Sequence, residues 1–73
     1  MKKWKLGGLT FQTSTLRHSI LGWQSFVTAR STSEPDRPMS ELYKGRSIDQ
    51  PTAQQQADNW LNGKYPGVRQ VRD

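Results

Sequence analysis

The Gly7-Gly8 pair is the centre of a mirror pattern that constrains how the first twelve residues can fold. Reading outward from the pair, Leu6 stands opposite Leu9 and Trp4 stands opposite Phe11. A two-residue glycine loop suits the primed turns of β-hairpins, because glycine adopts positive φ angles freely. Side chains alternate between the two faces of a strand, so the pattern predicts a hairpin with Trp4, Leu6, Leu9 and Phe11 on one face.

The opposite face of this hairpin is polar and basic. It carries Lys3, Lys5, Thr10 and Gln12. A row of ammonium groups beside short polar side chains can follow a phosphate backbone and release its counterions. A two-stranded ribbon also fits the major groove of DNA, where Thr10 and Gln12 would reach the edges of bases. The plainer interpretation is that the lysines deter edge-to-edge association of the sheet.

The chain is short and contains no cysteine. Its 73 residues lie near the lower limit for a domain that folds around its own core. The lack of cysteine excludes disulfides and removes the main ligand of structural zinc sites. We therefore expect one domain spanning residues 1–73, with no metal and no cofactor. Burial of large aromatic side chains dominates small cores, and we expect Trp4 and Trp60 to be buried.

The net charge of +5 is unevenly distributed along the chain. Residues 1–33 hold five basic side chains and no acidic one, whereas residues 34–73 hold six of each. Asymmetry of this kind indicates a polyanionic partner, most often nucleic acid. A basic surface that serves only solubility is the competing interpretation.

Residues 14–30 allow two structural interpretations. Apolar residues recur there at helical spacing, at Leu16, Ile20, Trp23 and Val27. The aromatic and β-branched residues at 23–28, and the glycine at 22, favour a strand instead. A strand over about Ile20 to Arg30 is preferred, and a helix is the alternative.

The middle of the chain predicts a loop and then a strand. Residues 31–38 are polar with two prolines, and we expect a mobile loop over about 31–39. A weaker strand is predicted from Glu41 to Ile48, pairing back on residues 23–30. This pairing would add Arg30, Lys44 and Arg46 to the basic surface.

The carboxyl-terminal third predicts a helix. Asp49 and Thr52 are candidate N-caps, and Thr52-x-x-Gln55 has the spacing of a capping box. One apolar face of this helix would hold Ala53, Ala57, Trp60 and Leu61. Gly63 is expected just beyond the end of the helix.

A turn and a short strand are predicted after the helix. Tyr65-Pro66-Gly67 matches a type II turn, with proline and glycine at its two central positions. Val68 to Arg72 is expected to be a short final strand with an open edge. The predicted fold class is α+β: a small antiparallel sheet, made of the Gly-Gly hairpin and one to three further strands, packed against one C-terminal helix and completed by the short final strand.

Residues that support catalysis are scarce. His18 is the only histidine, so neither a histidine-based metal cluster nor a Cys-His pair can form within one chain. Glu34 and Asp36 flank a proline in the predicted loop, which seldom positions or desolvates carboxylates for acid–base catalysis. We expect a protein that is not an enzyme and has no small-molecule substrate.

The stretch from Trp23 to Leu61 carries three short motifs. They are Trp23-Gln24-Ser25-Phe26-Val27, Lys44-Gly45-Arg46-Ser47-Ile48 and the predicted Thr52–Leu61 helix with Ala57-x-x-Trp60. In these motifs the chain resembles the three-strands-then-helix DNA-binding domains at the amino end of phage-type integrases, whose layout is related to plant AP2 domains. The resemblance covers about half of the chain. It implies that the sheet enters the major groove, with Arg30, Lys44 and Arg46 facing DNA.

Two functional hypotheses follow from the sequence. The first is a small basic protein that binds DNA or RNA through Lys3, Lys5, Thr10, Gln12, Arg30, Lys44 and Arg46. The second is a protein-binding module, such as an inhibitor or accessory subunit, that docks on an acidic protein surface. The Met1-Lys2-Lys3 start is followed by too short an apolar stretch for a signal peptide, and no apolar run reaches the length of a membrane helix. We expect a soluble protein of the cytoplasm or another intracellular compartment, without a membrane partner.

Overall fold

The computed structural model describes residues 1–20 and 22–72, which form five β-strands and one α-helix. In chain order these elements are β1 (Lys2–Leu6), β2 (Leu9–His18), β3 (Gly22–Ser31), β4 (Ser40–Ser47), α1 (Gln50–Lys64) and β5 (Arg69–Val71). All neighbouring strands pair antiparallel, in the order β4-β3-β2-β1-β5. The predicted α+β architecture is confirmed: a small antiparallel sheet with one C-terminal helix and a short final strand.

The first four strands form a meander, and α1 then carries the chain across the sheet. β4 lies at one edge and β5 at the other, so the connection between them must pass over one face. α1 fills this connection and packs against β2, β3 and β4. In the described part of the chain, no helix combines the length and the apolar character needed to cross a membrane.

The predicted Gly-Gly hairpin is confirmed in its register. Leu6 pairs with Leu9, and Trp4 pairs with Phe11. Gly7 has a positive φ of 56° whereas Gly8 does not, as in type II′ turns. The hairpin is not a free ribbon, because β3 borders β2 and β5 borders β1.

The strand interpretation of residues 14–30 is confirmed, and the helical alternative is wrong. β2 continues to His18 and pairs with β3 along its whole length. Of the four apolar residues at helical spacing, only Val27 is fully buried, while Leu16 and Ile20 are 59% and 84% exposed. β3 begins at Gly22 rather than at Ile20, which lies in the turn, and Leu21 lies outside the described residues.

The glycine at the start of β3 is required by close packing. Its φ is +84°, and a Cβ atom there would lie 2.5 Å from the carbonyl oxygen of Ser47. β4 occupies almost the predicted range and pairs with residues 23–29, with an irregularity between Val27 and Thr28. The loop before β4 contains an ion pair between Glu34 and Arg37 at 2.6 Å. The mobility of this loop stays a prediction.

The ends of α1 differ from their predicted form. Asp49 is the N-cap, and its side chain accepts a hydrogen bond from the Thr52 backbone N–H at 2.8 Å, so Thr52 is not the first residue of a capping box. Gly63 lies within the helix, since the Tyr65 N–H donates to the Leu61 carbonyl at 2.9 Å and continues the helical pattern. The predicted type II turn does form: the Val68 N–H donates to the Tyr65 carbonyl at 3.1 Å, and Gly67 has a φ of 91°.

The core lies between the sheet and α1. Its buried apolar residues are Trp4, Phe11, Val27, Ala29, Ala57, Leu61 and Val68. Two aromatic pairs close its sides: Phe11 lies 4.9 Å from Tyr65, and Trp60 stacks on Tyr43 at 5.2 Å, measured between ring centroids. Trp4 is buried as predicted, whereas Trp60 is only partly buried.

A polar network crosses the interface between the sheet and α1. The fully buried hydroxyl oxygen of Thr13 accepts hydrogen bonds from the Trp4 indole N–H at 2.9 Å and from the Gln54 amide at 3.0 Å. Gln54 also donates to Asp58, and the other carboxylate oxygen of Asp58 pairs with the Lys2 ammonium at 2.8 Å. Because every member has a partner, the network stabilises the position of α1 on the sheet.

Substitution of Thr13 by valine tests this network. Thr13→Val keeps the side-chain shape but leaves the indole of Trp4 and the amide of Gln54 without their acceptor, and should lower the free energy of unfolding by about 1–3 kcal/mol. Thr15→Val is the matched control, since Thr15 accepts from the Gln50 amide at an exposed position, at 3.2 Å. Urea denaturation should show a change below about 0.5 kcal/mol for the control. Equal effects of the two substitutions would contradict the role of the network.

The helix cap predicts a dependence of stability on pH. Hydrogen bonding by Thr52, first through its side chain and then through its backbone N–H, holds the pKa of the Asp49 carboxyl below its ordinary value of 3.8. The cap therefore stabilises the protein fully at pH values above the pKa that Asp49 has in the unfolded chain. This stabilisation is lost as the pH falls through the lower pKa of Asp49 in the folded protein. Asp49→Ala should be less stable than the wild type near neutral pH, and the difference should close in acid. Urea denaturation of both proteins from neutral to acidic pH measures the difference in their free energies of unfolding. A difference that stays constant with pH would contradict the prediction.

Candidate functional site

The two faces of the sheet differ in what covers them. Residues paired across neighbouring strands share a face, and the row of Trp4, Phe11 and Ala29 is buried on the side of α1. The rows on either side of it therefore point away from α1. Among the described residues no helix or strand lies over this second side of the sheet, which we call the open face.

Four rows of side chains cross the open face. The first row contains Arg30, Thr10, Lys5 and Arg69, and the second contains Glu41, Thr28, Gln12, Lys3 and Val71. The third row contains Lys44, Phe26 and Ser14, and the fourth contains Arg46, Gln24 and Leu16. The rows run from the β4 edge towards the β5 edge.

All seven residues nominated from the sequence lie on this open face. Lys3, Lys5, Lys44 and Arg46 are exposed, while Thr10, Gln12 and Arg30 are partly buried. The hydroxyl oxygens of Thr10 and Thr32 are 2.7 Å apart, so the start of the loop touches one end of the face. The fold thus brings together residues that are up to 43 positions apart in the sequence, from Lys3 to Arg46.

Charge is strongly segregated on the open face. Among the described residues it carries six basic side chains, at Lys3, Lys5, Arg30, Lys44, Arg46 and Arg69, and one acidic side chain, Glu41. The other described acidic residues lie elsewhere: Asp58 is a buried residue of α1, Asp49 caps that helix, and Glu34 and Asp36 lie in the loop before β4. The ion pairs within the described chain join Lys2 to Asp58 and Arg37 to Glu34, so neither involves a base of the open face.

Two open-face residues that are suited to binding, Arg69 and Phe26, were not among those nominated from the sequence. Arg69 comes to lie beside Lys5 because β5 pairs with β1, a long-range pairing that no local pattern indicates. Phe26 lies on the open face, with the Lys44 ammonium nitrogen 6.0 Å from the centre of its ring. Its position follows from alternation once Val27 is assigned to the core, which required the strand interpretation of this segment.

A second surface feature lies at one end of the sheet. Leu16, Ile20 and Ile48 are 59%, 84% and 91% exposed there. Gly22 lies close to the backbone of Ile48, so the end of the β2–β3 connection lies next to the segment that joins β4 to α1. We call these three residues the apolar tip.

A residue cluster suited to metal binding is not found in the described part of the chain. No three histidine, cysteine, aspartate or glutamate side chains in that part come together in a way that could hold a metal ion. The site is thus an open surface of charge, hydrogen-bonding groups and one aromatic ring.

No family model matches the sequence, and neither the curated proteins nor the solved structures that were compared with it give a match. The resemblance to the integrase domains therefore has no support from a family match. The segment that carried it, residues 23–61, contains β3, β4 and α1, and the third strand that precedes the helix, β2, lies before this segment.

Proposed function

We propose that the protein is a non-enzymatic nucleic-acid-binding protein that contacts phosphates through its open face. The observation that carries the proposal is the segregation, among the described residues, of six bases and one acid on a face that none of their helices covers. A surface that served solubility alone would gain nothing from placing these charges together, since mixed signs suffice for it.

The arrangement of the open face suits a phosphate backbone. Basic side chains lie towards both edges, with Lys44 and Arg46 on β4 and with Lys3, Lys5 and Arg69 on β1 and β5. Neutralising phosphates with such side chains releases condensed counterions, which supplies affinity without sequence preference. The polar side chains between the two groups, Thr10 and Gln12 among them, can donate to and accept from base edges.

Salt dependence of binding tests the proposal. Lys3→Ala/Lys5→Ala should weaken binding and make the plot of log affinity against log salt concentration shallower, by about 0.7–0.9 for each phosphate that the variant no longer neutralises. Arg37→Ala/Lys64→Ala is the matched control, because it removes the same charge from the loop and the helix end. Fluorescence anisotropy with labelled duplex DNA, single-stranded DNA and structured RNA at several salt concentrations measures both slopes.

The charge-matched control decides between a binding face and a general attraction. We expect the control variant to keep the wild-type slope. Equally weakened binding by the two double variants would contradict the assignment of the open face. Absence of binding to all three nucleic acids at low salt would overturn the proposed function.

A second candidate function is a protein-binding module that docks on a larger acidic protein, and the apolar tip favours it. Several exposed apolar side chains at the same end of a sheet are typical of protein interaction sites. Ile20→Ser/Ile48→Ser should leave folding intact, because both side chains are more than four-fifths exposed.

Affinity capture from nuclease-treated lysate compares this variant with the wild type. The second candidate predicts a protein that the wild type retains in stoichiometric amount and that the serine variant does not retain. Identical captured proteins for the two forms would contradict a docking role of the apolar tip.

A further inference from the structure

We infer that the open face prefers single-stranded nucleic acid and that Phe26 is the platform on which one of its bases stacks. The inference rests on the proposed function and specifies its ligand class. Four features of the structure support it.

The first feature is the position of Phe26. Its neighbour Val27 is fully buried on the α1 side, so alternation directs the Phe26 side chain to the open face. Phe26 does not belong to the described core cluster or to the residues packed against that cluster. A large apolar ring thus lies in the middle of a basic, polar surface without a packing role in the core.

The second feature is the pair of side chains that flank this ring. On the β2 side the residue paired with Phe26 is Ser14, whose small side chain leaves space beside the ring. On the β4 side it is Lys44, whose ammonium nitrogen lies 6.0 Å from the ring centre. This ammonium lies over the ring, so a base that stacks there takes its place, and the flexible lysine side chain turns to the phosphate of the same nucleotide. An aromatic platform beside a mobile cation is the combination used for sequence-tolerant single-strand binding.

The third feature is the width of the face. Five strands at a spacing of about 4.8 Å make a surface about 19 Å wide. The major groove of B-DNA is about 12 Å wide and admits a helix or a two-stranded ribbon. Because β3 and β5 flank the β1–β2 hairpin, the face cannot enter the groove as a ribbon.

The fourth feature is the polar surround of the ring. Gln24 and Thr28 precede and follow Phe26 on the same face of β3, and Gln12 lies opposite Thr28 on β2. Amide and hydroxyl groups can bond to the edges of unpaired bases. In a duplex the faces of the bases are already stacked on each other, so only a single strand presents both a free face and free edges to this surface.

Binding to a single strand and to its duplex separates the possibilities. Fluorescence anisotropy compares labelled oligothymidylate with the same strand annealed to oligoadenylate. The wild type should bind the single strand more tightly. Phe26→Leu should weaken single-strand binding by about 5- to 150-fold, the range expected when one stacked base is removed, and should leave duplex binding unchanged.

Phe26→Tyr is the control. The tyrosine variant keeps the ring and should bind oligothymidylate within a factor of about three of the wild type. The tyrosine variant also keeps the comparison informative if Phe26→Leu folds poorly: failure of the folded tyrosine variant to bind the single strand would overturn the inference.

The outcomes also distinguish this inference from the proposed function. Equal or tighter binding of the duplex, or full single-strand binding by folded Phe26→Leu, would overturn the single-strand inference and leave nucleic-acid binding in place. Absence of binding to both probes at low salt would overturn both.

Discussion

The packing of α1 against β2, β3 and β4 is the contact on which the rest of the structure depends, because it is the only cover that the described chain provides for its sheet. A helix of 15 residues covers one face. The strands must therefore be mainly apolar on that face and mainly polar on the other, as the neighbours Val27 and Thr28 illustrate. In a two-layer fold whose described part has one helix, the second face of the sheet stays open to solvent. The charged side chains that the described chain places on this face are basic, apart from Glu41.

The position of α1 is fixed by polar contacts as well as by apolar ones. Leu61, Ala57 and Ala53 are fully buried, but alanines offer little shape to define how the helix lies on the sheet. The hydroxyl of Thr13 supplies a specific contact by accepting from a strand residue, Trp4, and from a helix residue, Gln54. A buried polar network of this kind stabilises one arrangement over others, since any displacement would leave its donors without partners.

The parts of the fold that depend on local patterns could be predicted from the sequence. The mirror around Gly7 and Gly8 contains the register of the hairpin, and proline and glycine at 66 and 67 determine the turn after α1. Long-range contacts carry no such signal: Thr13 lies beyond the mirrored residues, and its partner Gln54 is 41 positions away. Most lysines and arginines of the candidate site could be predicted from the sequence. The position of Phe26 on the open face could not, because it depends on residues 23–30 being a strand, and the apolar residues of this segment also fit the spacing of a helix.

Phe26 lies on the open face and Phe11 lies in the core, and these are the only two phenylalanines in the chain. Selective ¹³C labelling of phenylalanine rings therefore gives one NMR probe on each side of the sheet. During titration with oligothymidylate, we expect the Phe26 ring resonances to shift progressively with ligand concentration while those of Phe11 stay in place. Unchanged resonances of both rings at saturating ligand, or shifts confined to Phe11, would contradict the claim that the open face is where this protein binds.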